Sequence, residues 1–229
     1  MTARSPIASA VATTKGDDGT TGLLYGGARI AKDDPRTEAY GTIDEAVAAL
    51  GLARATLAAK RRVGTLSPAL GGLGDLILRI QRELFVVGAE LATNPDAWDR
   101  LEDGRTRVSA AMVASIDALL LDAEAAISLP TEFVVPGETV TSAALELART
   151  ILRRAERRTV GLQHAGLVPG EHLVPYLNRL ADLVWVLARA AEAAESKRAT
   201  PARREPRPGP RPRPRPGPRP RTPAPGESR

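Results

Sequence analysis

The sequence predicts an all-α protein, an antiparallel five-helix bundle carrying a basic tail, and three observations predict it. Apolar residues recur at helical spacing through most of residues 1–196, with Ala and Leu dominant. The β-branched and aromatic alternation that strands need is scarce, and only 3% of the 229 residues are aromatic. The links between apolar stretches are short and hold Pro or Gly, which sets successive helices antiparallel.

The first helix is expected from Thr42 to about Lys60, because Thr42-Ile43-Asp44-Glu45 reads as a capping box. Ser67-Pro68 offers an N-cap and a first-turn proline for a second helix reaching Thr93, which Asn94-Pro95 ends. Residues 95–107 are polar and read as a loop, after which Ser109 caps a third helix to about Ser128. Pro130 and Pro136-Gly137 bracket a short extended connection that contains Phe133. A fourth helix should run from about Val140 to Leu162 and a fifth from about Val174 to Lys197, joined by a loop with Gly and Pro.

One domain, residues 13–196, follows, between an N-terminal stretch 1–12 and a tail 197–229 that both read as disordered. Eleven of the nineteen prolines lie from Pro201 onward, in a segment of Pro, Arg and Gly with polyproline II character. The tail holds eleven basic and two acidic residues, so the net charge of +5 conceals a mildly acidic body, −4 over residues 1–196. Cysteine is absent, which excludes disulfides, thiolate metal ligands and thiol nucleophiles. No run of ~18 apolar residues and no apolar leader segment occurs, so a soluble, cytoplasmic protein without a membrane partner is expected.

Three constellations and a lysine could carry chemistry. Gly16-Asp17-Asp18-Gly19-Thr20-Thr21-Gly22 combines close backbone approach with hydroxyls that could cradle phosphate oxygens, though no Gly-Lys-Ser/Thr follows as in a P-loop. Arg149, Arg153, Glu156 and Arg157 share one helical face, with Arg154 beside it, and guanidinium groups fork onto phosphates. Asn178 and Asp182 lie one turn apart on the last helix, where an amide suits a nucleotide sugar or base. Lys32 could act as a point charge on a phosphate. In isolation, a flexible turn, a solvated ion-pair face, an ordinary amphipathic helix and a surface lysine are the commoner readings of the same residues.

Their order is more specific than any one of them. Thr13 to Thr21, then Lys32-Asp33-Asp34-Pro35-Arg36, then Tyr40-Gly41-Thr42-Ile43-Asp44-Glu45, resembles the opening of the PduO-type cob(I)alamin adenosyltransferases. Ile80-Gln81-Arg82-Glu83-Leu84-Phe85 with Gly88-Ala89-Glu90-Leu91-Ala92 is similar to that family's second helix. Phe133-Val134-Val135-Pro136-Gly137, Ala148-Arg149-Thr150, Arg153-Arg154-Ala155-Glu156-Arg157-Arg158 and Tyr176-Leu177-Asn178-Arg179-Leu180-Ala181-Asp182-Leu183 complete the pattern over about 180 residues.

The resemblance implies a ferritin-like helical topology and transfer of the 5′-deoxyadenosyl group of ATP to the cobalt of cob(I)alamin. It implies that Thr13, Thr14, Lys15, Gly16, Thr21, Gly22 and Lys32 wrap ATP, with Arg153, Arg154, Glu156, Arg157 and Asn178 completing the nucleotide site and Mg²⁺ bridging the phosphates. Catalytic roles fall to Arg149, Arg153, Asp44 and Phe133, with Arg149 pairing Asp44 across a subunit boundary of a homotrimer. Phe133, Asp182 and Trp185 would border the cobalamin, and no protein ligand to a metal is implied. Thr14-Lys15 stands where Lys-Thr is usual in the family, Glu138 where a second Gly is, and Trp185 where Phe is common. A reductase and an adenosylcobalamin-dependent client enzyme are the implied partners.

A carboxylate-bridged di-iron bundle is excluded, since the only histidines, His164 and His172, fall in a loop without Glu-x-x-His spacing. The remaining alternative is a helical binding protein that delivers cobalamin, with a tail contacting nucleic acid or an acidic partner. The tail has no aromatic residue, which argues against base stacking.

Overall fold

Asp34-Pro35 starts the first long helix. In the computed structural model, which describes residues 9–203, α1 spans Pro35–Arg62. The Asp34 side chain accepts from the Arg36 amide at 2.8 Å, and Pro35, whose φ is already helical, needs no amide partner in the first turn. The start expected at Thr42 is therefore corrected: Thr42 lies inside α1, buried, its hydroxyl donating to the Glu38 carbonyl at 2.7 Å. Expectations for residues 1–8 and 204–229 lie outside the described residues.

Ser67-Pro68 likewise opens only a 3-10 turn, Pro68–Leu70, without a side-chain cap. Helix α2, Leu73–Leu91, begins after Gly71-Gly72, a pair too entropically costly to carry a long helix. Residues 95–107 contain a further 3-10 segment, Pro95–Arg100. Helix α3, Ala110–Ala125, is capped by Ser109 as expected. Helix α4, Val140–His164, carries a reciprocal box in which Thr139 and Ser142 satisfy each other's amides at 3.0 and 3.1 Å. Helix α5, Leu173–Ala194, completes the five.

Cross-links fix their directions. Arg158 meets Glu38 at 2.8 Å while Arg154 meets Glu45, so α1 and α4 are antiparallel. Asn178 bonds Glu156 and Arg189 reaches Glu146, so α4 and α5 are antiparallel too. Between the helices lies one core that includes Ile43, Leu50, Ile80, Leu84, Leu145, Leu152 and Leu180. Tyr176 is fully buried there and donates its hydroxyl to Glu83 at 2.8 Å, while burial pushes the phenol pKa up. No helix among the described residues is long and apolar enough to cross a membrane.

Two buried polar groups join the bundle's ends. Arg36, 4% exposed, donates to the carbonyls of Leu91 at 2.9 Å and Thr93 at 3.3 Å, and also to that of Leu167. It ties the start of α1 to the end of α2 and to the α4–α5 loop. Glu90, fully buried, accepts from the Val108 amide at 2.7 Å with one oxygen and has no partner for the other. Burial pushes its pKa up to about 7 from 4.5.

This folded-state pKa lies above the unfolded one, so the native state holds the extra proton and stability falls as pH rises from about 4.5 through 7. Glu90→Gln should remove that loss. The variant should gain about 3 kcal/mol over wild type at pH 8.5 and almost nothing at pH 4, read from urea midpoints. An equal difference at both pH values would show that charge at Glu90 is not the cause.

Candidate active site

A hairpin shapes the loop ahead of α1. Strands β1, Thr20–Thr21, and β2, Ile30–Ala31, pair antiparallel, and the Lys32 amide donates to the Gly19 carbonyl at 2.9 Å. The Lys32 ammonium folds back over the loop, where a Cβ added at Gly16 would fall 2.8 Å from it, so Gly16 and Lys32 form one unit. Thr14 adopts a left-handed φ of +56°, the turn that delivers Thr13 and Lys15 to the surface.

Asp18 accepts from the Thr20 amide at 2.9 Å and hydroxyl at 2.8 Å, and these bonds hold its pKa below the usual range. Arg29, which the sequence reading did not single out, binds the loop from beneath. It donates to the Lys15 and Thr20 carbonyls at 2.7 and 2.9 Å and to the Thr20 hydroxyl at 2.7 Å. Thr21 and Gly22 lie within and just beyond β1 on the same loop.

On the α4 face, Asn178 donates to Glu156 at 3.0 Å, so two residues predicted for one site do meet. Arg153 and Arg157 are exposed one turn apart and make no hydrogen bond or ion pair among the described residues. Arg154 is engaged with Glu45. Asp17 apart, no hydrogen bond or ion pair joins the glycine loop to this face among the described residues.

A cavity of about 640 Å³ lies towards the start of α4, its lining including Phe133, Val134, Pro136, Glu146, Arg149 and Trp185. Phe133 stands 90% exposed at its rim. Its loop is pinned by β3, Val134–Val135, pairing antiparallel with β4, Thr200–Pro201, while the Ala202 amide donates to the Phe133 carbonyl at 2.7 Å. Residues 200 and 201, which composition places in a disordered tail, are thus part of the site's frame. Thr200 donates its hydroxyl to Glu138, a bond that the family's usual Gly could not accept through a side chain.

Asp182, exposed on α5, is not among the lining residues. Asp44 is exposed on α1 beside a second hollow with Leu24, Tyr40 and Phe85, and the single chain does not bring it to Arg149. Arg149 instead donates to Glu146 at 2.6 Å. Glu146, Arg189 and Glu192 were also missed, because charged residues in apolar helices read as a solvated face until burial is known.

The model of the cobalamin adenosyltransferase family matches residues 11–191. The chain belongs to the cobalamin adenosyltransferase family. It is similar to the corrinoid adenosyltransferase of Citrobacter freundii, 38% identical over 79% of this chain and 93% of that one. It is also similar to the Bacillus subtilis corrinoid adenosyltransferase, 37% identical over 79% of this chain and 86% of that one. Among solved structures, a variant PduO-type ATP:corrinoid adenosyltransferase from Lactobacillus reuteri complexed with cobalamin and ATP superposes with a TM-score of 0.70. Identity there is 26%, covering 84% of this chain and 98% of that one. The cobalamin adenosyltransferase fold is thus the five-helix arrangement described above.

Proposed function

We propose that this cobalamin adenosyltransferase family member transfers the 5′-deoxyadenosyl group of ATP to cob(I)alamin, giving adenosylcobalamin and triphosphate. The observation that carries this is the cavity. Phe133, Arg149 and Trp185, far apart in sequence, line one open space bordered by an exposed aromatic ring, a shape suited to a flat, largely apolar macrocycle.

In the transfer, the filled orbital of Co(I) attacks C5′ of ATP. The Co–C bond forms as the C5′–O bond breaks, triphosphate leaves with the electron pair, and cobalt ends as Co(III). No general base is needed, so the protein's work is orientation and stabilisation of the leaving group. Lys32 over the glycine loop, with the guanidiniums of Arg153 and Arg157, which have no partner among the described residues, would hold the phosphates. The Asn178–Glu156 pair would orient the nucleoside. Phe133 would keep the lower axial ligand off cobalt and so ease reduction of Co(II). Among the described residues no acidic or histidine cluster is placed to hold a metal ion. Mg²⁺ would enter with ATP and be held mainly by its phosphates.

As the family resemblance implies, we place the nucleotide site between subunits of a homotrimer, with the glycine loop of one chain facing the Arg153 face of another. Asp44, exposed beside Phe85 and Leu24, fits the rim of such an interface, where it would pair with Arg149 of a neighbour. A reductase would supply the electron and an adenosylcobalamin-dependent enzyme would take the product.

Product analysis tests the reaction. With ATP labelled at C5′ and chemically reduced cobalamin, the label should move to the corrinoid and one triphosphate should appear per adenosylcobalamin. Release of pyrophosphate or ADP, with label left off cobalt, would overturn it.

A further inference from the structure

Beneath the cavity lies a buried ionic chain that the proposed reaction does not itself require. Arg149 donates to Glu146 Oε2 at 2.6 Å, and Arg189 reaches Glu146 Oε1 at 3.3 Å and Glu192 Oε1 at 2.8 Å. Arg189, Glu146 and Glu192 are only 3%, 3% and 2% exposed. Burying three charges is expensive and is recovered only if the geometry is held closely. The chain is not even fully satisfied: Nε and Nη1 of Arg189 and Oε2 of Glu192 have no hydrogen-bond partner.

The chain's two ends reach cavity-lining groups. At one is Arg149; at the other the Arg189 guanidinium lies 5.7 Å from the centre of the Trp185 ring, one turn earlier on α5. A hydrophobic replacement of similar volume would pack this interior at less cost, so stability does not explain a guanidinium here.

We propose that Arg189 is a positioning residue. Through Glu146 it fixes the rotamer of Arg149, and through its face it fixes Trp185, so one buried cation sets two walls of the corrinoid cavity. The inference rests on the proposed transfer, whose substrate defines what the walls are for. Glu192 shares the guanidinium and, with its own pKa raised by burial, supports the cation from the far side. Fixing walls before the substrate arrives lowers the ordering cost of binding it.

The test uses the full chain. Removing Arg189 alone would strand two carboxylates, so the variant is Arg189→Met with Glu192→Gln, which leaves the Glu146–Arg149 pair neutral. The KM for cobalamin should rise about tenfold or more while the KM for ATP changes less than about twofold, because only the corrinoid walls are loosened. In a Trp98→Phe background, Trp185 should become more accessible to acrylamide in the protein without ligand, and its quenching by added cobalamin should require correspondingly higher concentrations.

Should the double variant fail to fold, Glu146→Gln cuts the same chain one step nearer to Arg149 and should show the same split. An unchanged cobalamin KM and unchanged Trp185 accessibility in either folded variant would overturn the inference. A wild type that binds cobalamin but transfers no adenosyl group would instead count against the reaction, leaving the fluorescence comparison to decide the positioning role.

Discussion

Arg153→Ala lowers the rate of adenosyl transfer by about a hundredfold to a thousandfold, the largest single effect expected on activity. The side chain is exposed on α4 and makes no hydrogen bond or ion pair among the described residues, so its removal breaks no fold contact. Its neighbour Arg157 stands one turn away in the same condition, whereas Arg154 and Arg158 are occupied by Glu45 and Glu38. Four arginines thus divide into two that brace α1 and two without an ion pair among the described residues, the pair proposed to bind the phosphates. If the second pair meets the charge that develops on the departing triphosphate, as proposed, kcat should fall more than the affinity for ATP. Arg154→Ala should show the opposite profile, with a small loss of stability and a modest change in rate. Equal rate losses for both variants would contradict this division.

Arg36→Met costs about 3 kcal/mol of stability, the largest effect expected from a single polar side chain in the fold. Three carbonyls from two segments converge on its guanidinium, and burial already lowers the group's pKa against the pull of Asp34. Methionine fills the volume but offers no donor, leaving those carbonyls unpaired where water enters poorly. The end of α1 that Arg36 anchors also leads directly from β2 and Lys32, so the KM for ATP should rise several-fold in the same variant. Urea unfolding and the ATP dependence of the rate measure the two effects. A destabilisation below about 1 kcal/mol would mean that water replaces the guanidinium.

Five helices were legible because apolar spacing is a long, redundant signal, and Ser109 and Asn94-Pro95 marked ends where they were expected. The start of α1 was not. Thr42-Ile43-Asp44-Glu45 has capping-box spacing, yet in the helix interior the same polar residues face outward or back-bond to the turn before, and the true signal, Asp34-Pro35, sits in a polar run. The two-residue pairing of β3 with β4 was invisible for a different reason. Two residues cannot show alternation, and Pro201 belongs by composition to the tail even though an edge strand tolerates proline.

The site divides the same way. The glycine loop, the Arg153 face and the Phe133 connection were legible through the order of their motifs, and the structure joins Gly16 to Lys32, Asn178 to Glu156, and Phe133 to Arg149 and Trp185. Arg29, Glu146 and Arg189 were not: Arg29 closes on Lys15 and Thr20 only through the hairpin, and Arg189 meets Glu146 only because α4 and α5 run antiparallel. Nothing in their local spacing distinguishes them from surface charges.

The proposed reaction is alkylation of cobalt by ATP. Its most direct test is the visible absorbance of chemically reduced cobalamin mixed anaerobically with the wild-type chain, with and without ATP. Conversion to the adenosylcobalamin spectrum is expected only when ATP is present, with loss of that spectrum to the Co(II) form on illumination as the Co–C bond is cleaved homolytically. A folded protein that binds both ATP and cobalamin but leaves the spectrum unchanged would contradict it.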